Sequence, residues 1–278
     1  MTNYLAEKVV IITGAGGGFG RLLCEKIVGL GGSVVAADIS DNALNSVTLS
    51  LANAPGKILA KVTDVTLRQD VKALAAFTVE QFGSIDVLVN NAGVMPLAFY
   101  ADHADAEDAW DRCIDINFKG VLNGITAVYD QMIAQGSGHV VNLSSIYGNF
   151  PVSGAAVYGA TKAAVNFLSE SLRLESQGKI KVTTIKPTGV PATGLGSGVI
   201  NPTAIAGILG ANAEQYLGKF QAVQAGTLDA RLLNPENIEY YALDPDLLTD
   251  QIIYAMNQPL GVSISELTVR ASGDAYVI

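Results

Sequence analysis

Short apolar runs alternate with amphipathic segments along most of the chain. Residues 9–12 (Val-Val-Ile-Ile) are continuously apolar, as expected of a strand buried on both faces. A glycine-rich turn follows, and over 21–30 Leu22, Leu23, Ile27 and Leu30 recur at helical spacing. Residues 33–37 read as a second strand ending at Asp38. Asp41 stands where an N-cap is expected, opening a helix to about residue 51. The same reading places strands at 58–62, 85–89, 140–143 and 180–185, and helices at 67–82, 106–135 and 156–177. A late helix at 245–256 and a last strand at 264–269 complete the series. Strand and helix alternating this regularly imply βαβ units, whose right-handed crossovers produce a parallel sheet with helices on both faces.

One stretch breaks the rhythm. From 188 to 244 the chain is rich in Gly, Pro and Ala, with weak helical segments at 204–209 and 215–223. A connection this long between core elements is expected to be a lid or substrate loop. No internal repeat or low-complexity linker divides the rest, so 1–278 reads as one domain.

Composition narrows the function. Hydrophobic residues make up 49% of the chain and charged ones 15%, and the mean hydropathy of +0.33 is high for a soluble protein. Disorder is excluded, and part of the apolar surface is expected to be covered by other subunits. Seventeen Lys and Arg against 26 Asp and Glu leave a formal charge of −9, which argues against a nucleic-acid-binding surface. No run approaches the ~20 apolar residues a bilayer span requires. The opening residues lack the apolar stretch of a signal peptide, so a cytoplasmic location without a membrane partner is expected. Cys24 and Cys113 stand far apart and read as buried, inert thiols. His103 and His139 have no metal-ligand spacing around them; both read as structural, and no metal site is expected.

Three features carry candidate chemistry. Thr13-Gly14-Ala15-Gly16-Gly17-Gly18-Phe19-Gly20 joins the first strand to a helix. Glycines there let backbone N–H groups and the helix N-terminus approach a pyrophosphate, although a glycine-rich turn can also serve helix–strand packing alone. Asp38 ends the second strand, where a carboxylate can accept hydrogen bonds from adenosine ribose hydroxyls and would repel a 2′-phosphate. Ile39 follows it and neither the turn nor its neighbours offer a Lys or Arg for that phosphate, so NAD is favoured over NADP. Tyr158 and Lys162 stand at i and i+4 in a predicted helix, sharing a face. An ammonium ~4 Å from a phenolate contributes on the order of 4 kcal/mol at an effective dielectric near 20, before desolvation subtracts from it. At ~1.4 kcal/mol per pKa unit, a phenol pKa lowered by about two is expected. A tyrosine tuned in this way can exchange a proton with an alcohol or carbonyl oxygen near neutral pH.

With Asp64-Val65, Asn90-Asn91-Ala92-Gly93, Asn117, Ser145 and Pro187 in order between and after these motifs, the chain resembles the short-chain dehydrogenase/reductase family over nearly its whole length. The resemblance implies a Rossmann-type, doubly wound α/β fold with seven parallel strands in an α/β/α sandwich. It implies Tyr158 as general acid/base and Lys162 as the amine that lowers its pKa and binds the nicotinamide ribose. Ser145 would hold the substrate oxygen, and the backbone of Asn117 would hold a water of the proton relay. Gly14, Gly17, Gly18, Phe19, Gly20, Asp38, Ile39, Asp64, Val65, Asn91, Ala92, Gly93, Tyr158, Lys162, Pro187, Val190 and Thr193 would line the cofactor site, with hydride moving between nicotinamide and carbinol carbon. Family members commonly form dimers or tetramers through the helices at 106–135 and 156–177.

Two departures stand beside the resemblance. After Pro187 the family usually places Gly, whereas Thr188 and then Gly189 stand here. The usual Thr five residues after that Pro is Ala192, with Thr193 one residue late. By family analogy Met95, Ile146, Tyr147, Phe150, Val152 and Leu195 would face the substrate. These mostly apolar residues favour an apolar, cyclic or aryl secondary alcohol or ketone over a sugar or an acid. The expected activity is thus that of an NAD(H)-dependent alcohol dehydrogenase or carbonyl reductase. A dihydrodiol dehydrogenase of the same family, or a cofactor-binding regulator without turnover, are the alternatives.

Overall fold

The apolar runs become strands β1 (Val9–Thr13), β2 (Ser33–Asp38), β3 (Lys57–Val62), β4 (Val87–Asn90), β5 (Gly138–Leu143), β6 (Ile180–Pro187) and β7 (Glu266–Val269). In the computed structural model, which describes residues 2–191 and 193–277, they pair in parallel in the order β3-β2-β1-β4-β5-β6-β7. Side chains alternate across a strand, so each strand feeds two cores. Val10 and Ile12 face one cluster with Leu23 and Ile27 of α1 (Gly18–Gly29), and with Leu248 and Ile252 of a late helix at Pro245–Met256. Ile11 faces the other cluster. There it meets Leu74 of a helix at Arg68–Phe82, Val128 of one at Val121–Gln135, and Val165 of one at Ala156–Glu175. The result is a three-layer α/β/α sandwich of Rossmann type. The chain runs outward from β1 to β3 and crosses back to β4 beside β1, so a crevice opens between the carboxyl ends of β1 and β4.

Several boundaries differ from the sequence reading for identifiable reasons. Helix α1 begins three residues before Arg21, because Gly18, Phe19 and Gly20 form its first turn behind an N-cap at Gly17. Helix α2 (Asp41–Ser50) is capped by Ser40, not Asp41: the Ser40 hydroxyl accepts the Ala43 N–H at 3.3 Å. Asp41 sits instead in the first turn, where the helix dipole favours a carboxylate. Helix α3 is Arg68–Phe82. The expected helix at 106–135 is three pieces: α4 (His103–Cys113), a π-helical segment (Ile114–Gly120) and α5 (Val121–Gln135). Helix α6 is Ala156–Glu175. The 188–244 segment holds short helices, of which α7 (Ala206–Leu209) and α8 (Ala213–Gln224) coincide with the two weak signals; α9 (Pro245–Met256) follows.

Cys24 and Cys113 are buried thiols, as expected, with burial pushing Cys24 up to about 12. Among the described residues no helix is long and apolar enough to cross a membrane, and no His, Cys, Asp and Glu group together as metal ligands do.

His139 is buried on β5, with Nε2 2.8 Å from the Thr183 hydroxyl, which itself stands 2.7 Å from the Ile264 carbonyl. That hydroxyl has one proton and gives it to Ile264, so Nε2 is the donor and Nδ1 the bare nitrogen. Nδ1 has no partner among the described residues. Burial, reinforced by Lys181, holds the imidazole pKa down to about 3, from an ordinary value of 6.5. The unfolded chain therefore takes up a proton that the folded chain refuses. Stability is unaffected above pH 6.5 and falls as pH drops from there toward 3. In thermal melts across that window, His139→Gln, which keeps a donor for Thr183, is expected to lose stability with a shallower pH slope than the parent.

Candidate active site

The glycine-rich turn is shaped by close approaches that exclude side chains. A Cβ on Gly20 would overlap the Gly14 carbonyl, and one on Gly14 would stand 2.9 Å from Ala92 Cα. Asn91 fastens the turn to β4: its side-chain amide donates to the Thr13 and Gly14 carbonyls at 2.9 and 3.0 Å, while its backbone N–H reaches the Thr13 hydroxyl at 3.1 Å. Gly17, by contrast, has open space where a Cβ would point. Among the described residues no side chain caps the N–H groups of the first turn of α1. Asp38 accepts the Gly16 N–H at 2.9 Å and the Ser40 N–H at 3.0 Å, so the carboxylate is held against the turn at the end of β2.

Two cavities adjoin this turn and share Gly14, Asp38, Ala92 and Gly93 in their walls. The smaller, about 560 Å³, includes Ile39, Asp64 and Val65. Asp64 accepts bonds from the Thr66 N–H and hydroxyl at 2.9 and 2.7 Å. The larger, about 880 Å³, runs from Gly17, Gly18, Phe19 and Asn91 past Pro187, Val190 and Thr193 to Ser145, Tyr158 and Lys162. Open space at Gly17, a carboxylate at the end of β2 and two communicating cavities at the switch point fit an extended dinucleotide. Gly20 lies outside both walls; its place is the helix–strand contact with Gly14.

Ser145 leaves β5 as the N-cap of a 3₁₀ turn, its hydroxyl accepting the Tyr147 N–H at 3.2 Å. Tyr158 lies in the first turn of α6, 3% exposed, with the Ser145 hydroxyl hydrogen-bonded to its phenol. Lys162, one turn on, is also buried and donates from Nζ to the Leu143 carbonyl at 2.8 Å, with Nζ 5.7 Å from the centre of the Tyr158 ring. Asn117 is fully buried in the π-helical segment. Its side chain is consumed by the Val94 backbone, Oδ1 accepting the N–H and Nδ2 donating to the carbonyl, each at 2.9 Å. Only its backbone remains for other work.

The electrostatics overturn one expectation. Burial raises the Tyr158 pKa, with the hydrogen bond from Ser145 pulling the other way. Burial also lowers Lys162 to about 8. The amine points at a carbonyl instead of the phenolic oxygen, and the two groups share a desolvated site, so removal from water outweighs their mutual attraction. In the chain alone the phenol is therefore a protonated acid at neutral pH.

The substrate-side residues divide. Met95, Tyr147 and Leu195 line the larger cavity. Ile146 does not: it is 1% exposed and packs in a third apolar cluster, with Val152 at its edge. Phe150 also misses the cavity and is 62% exposed. Residues the sequence reading did not select complete the wall: Tyr216, Leu217 and Phe220 of α8, and Tyr276 beyond β7. Apolar spacing at 217 and 220 marked a helix without saying what it faced, and nothing near 276 announced a wall residue. Tyr276 does explain the glycine displaced by one after Pro187. A Cβ on Gly189 would overlap the Tyr276 phenol, so the small residue is needed at 189, whereas Thr188 bonds the Val269 carbonyl at 3.3 Å. Thr193 lies with its carbonyl against Gly18; Ala192 is outside the described residues. Gly189→Ala is expected to cost about 1–3 kcal/mol through this clash. In urea titrations the cost should vanish when Tyr276→Ala is also present.

Similarity to known proteins agrees with this geometry. The family model for short chain dehydrogenases matches residues 8–200. An uncharacterized oxidoreductase of Listeria monocytogenes is 34% identical over 275 residues, 98% of this chain and 99% of its own. Among solved structures, a short chain dehydrogenase/reductase from Burkholderia phymatum in complex with NAD is 27% identical. It has a TM-score of 0.74 over 96% of this chain and 90% of that one. The closed form of a serine dehydrogenase complexed with NADP+ is also 27% identical, with a TM-score of 0.74 over 94% of each chain. With the sheet order, the turn and the matched length taken together, the chain belongs to the short-chain dehydrogenase/reductase family of oxidoreductases.

Proposed function

We propose that the protein interconverts a secondary alcohol and a ketone with NAD(H) as hydride carrier. The observation that carries this reading is the meeting of Ser145, Tyr158 and Lys162 in one cavity that continues to the glycine-rich turn. The bound nicotinamide would supply or accept the hydride at the carbinol carbon. In reduction, the Tyr158 phenol gives its proton to the carbonyl oxygen while the Ser145 hydroxyl holds that same oxygen. In oxidation the phenol must first lose its proton, which its burial opposes. An ammonium at Lys162 and the charge of an oxidised nicotinamide favour that loss. Asn117 contributes through its backbone, as its side chain is committed to Val94.

Asp38 supports NAD over NADP. Its carboxylate faces both cavities, where a ribose 2′-phosphate would meet like charge. Arg112 is the one cation among the described residues of the smaller cavity, and Asp108, Asp111 and Asp115 accompany it there. The 188–244 segment acts as a lid in this reading. Helix α8 has no buried residue, yet it supplies Tyr216, Leu217 and Phe220 to the cavity wall. A homo-oligomer formed through α5 and α6 is supported by Phe167 and Leu174, five and twelve residues past Lys162 on α6, which are 76% and 63% exposed.

Tyr158→Phe should keep NADH binding, read by fluorescence, and lose at least about 10²-fold in kcat, the usual scale for a removed general acid. Equal turnover in that variant would dismiss the phenol from its role. For reduction, kcat/KM should decline as pH rises through about 8, where Lys162 gives up its charge in the free enzyme. With each cofactor in turn, kcat/KM for NAD should exceed that for NADP by about tenfold or more. Asp38→Ser should narrow the gap from the NADP side.

A further inference from the structure

Three phenols besides Tyr158 line the cavity, and the proposed proton transfer uses none of them. Tyr147 meets Tyr158 edge to face, with ring centroids 5.4 Å apart at 73°. It is 8% exposed, and its hydroxyl has no hydrogen-bond partner among the described residues. Tyr216 of α8 and Tyr276 of the segment after β7 are hydrogen-bonded to each other, with ring centroids 6.0 Å apart. Tyr276 is held in place by its surroundings. The Arg270 guanidinium donates to its carbonyl at 2.7 Å, the Val277 N–H reaches the Ile208 carbonyl at 3.1 Å, and the phenol rests on the Gly189 backbone. Burial raises both Tyr147 and Tyr276 above the ordinary phenol value, so each stays neutral at physiological pH.

The charge of the cavity restricts what these phenols can recognise. Among its described lining residues Lys162 is the one cation, and it is engaged by the Leu143 carbonyl. A carboxylate or phosphate of the substrate seated away from Lys162 would enter without a counter-charge, which is costly in a desolvated site. A neutral oxygen has no such difficulty, because a phenol both donates and accepts. The Tyr147 hydroxyl is open to the cavity, so a ligand oxygen that reaches it takes the place of water as its hydrogen-bond partner.

We propose that Tyr147 and the Tyr216–Tyr276 pair form a subsite for a second, uncharged oxygen of the substrate. The substrate class is then a diol, hydroxyketone or diketone on an apolar frame. This assignment rests on the reading of Ser145 and Tyr158 as the groups at the reacting oxygen. It concerns binding at a different part of the cavity.

The test uses the enzyme–NADH complex, in which an alcohol binds but cannot be oxidised, so affinity is read apart from turnover. Binding of cyclohexanol and of the vicinal and non-vicinal cyclohexanediols is measured by calorimetry and by NADH fluorescence. At least one diol should bind about tenfold more tightly than cyclohexanol, the scale of one added hydrogen bond. Tyr147→Phe and Tyr276→Phe should each bring that ratio close to one, and Tyr216→Phe should lower it. The proposal is overturned if every diol binds within about twofold of cyclohexanol, or if the preference survives unchanged in both Tyr147→Phe and Tyr276→Phe. Diol selectivity that collapses in the variants, without turnover of any alcohol with NAD, would sink the reaction reading and leave the subsite standing. Turnover without diol selectivity would do the reverse.

Discussion

A phenol and an amine taken out of water at the same place each lose several kcal/mol of hydration, and the site is organised around that loss. Lys162 recovers part of it from the Leu143 carbonyl at 2.8 Å, and Tyr158 from Ser145. Neither partner is available unless α6 lies close against the end of β5. A continuous buried polar chain sets that placement: the Asn90 amide donates to Asn142 at 2.8 Å, the Asn142 amide to Ser169 at 2.9 Å, and the Ser169 hydroxyl to the Val165 carbonyl at 2.8 Å. Beside it, Ser144 bonds Asn166 at 2.6 Å. Strands β4 and β5 and helix α6 are thereby joined through groups whose bonds, once buried, are expensive to leave unmade. A general acid that must be protonated before reduction is what such a dry site produces. In the proposed oxidation, making that phenol acidic would fall to the Lys162 ammonium and to the charge of an oxidised nicotinamide.

The same logic runs through the turn. Thr13, Gly14 and Asn91 satisfy one another's backbone groups, which leaves the open side at Gly17 and the first turn of α1 free of competing side chains. Asp38 is tied to the Gly16 N–H, so the residue that would discriminate between cofactors also stiffens the loop that would hold their phosphates.

Much of this was legible in the sequence, and the legible part has a common cause. Strands buried on both faces of a parallel sheet read as apolar runs, so β1, β2 and β4 were readable from their local composition. The turn, Asp38 and the Tyr158–Lys162 spacing are local patterns whose geometry follows from one strand or one helix. What escaped depends on partners distant in the chain. The Tyr158 pKa went the wrong way because spacing on a helix says nothing of how much water the fold removes. Ile146 and Val152 were apolar for packing, and Phe150 for neither core nor cavity. Tyr276 reaches the cavity only because β7 returns beside β6, a pairing with no local sign. Likewise Gly189, read as an irregular match to the family, is ordered by a residue 87 positions later.

The π-helical stretch between α4 and α5 constrains how the protein can change. An α-helix turns by about 100° per residue, and the wider π turn absorbs extra backbone without altering the helices on either side. Excising a single amino acid between 114 and 120 would let the two helices fuse into one regular rod. It would also swing Asn117 about a third of a revolution away from Val94, breaking both of its bonds to that backbone. That short loosened coil therefore acts as a spacer whose length fixes where Asn117 meets Val94.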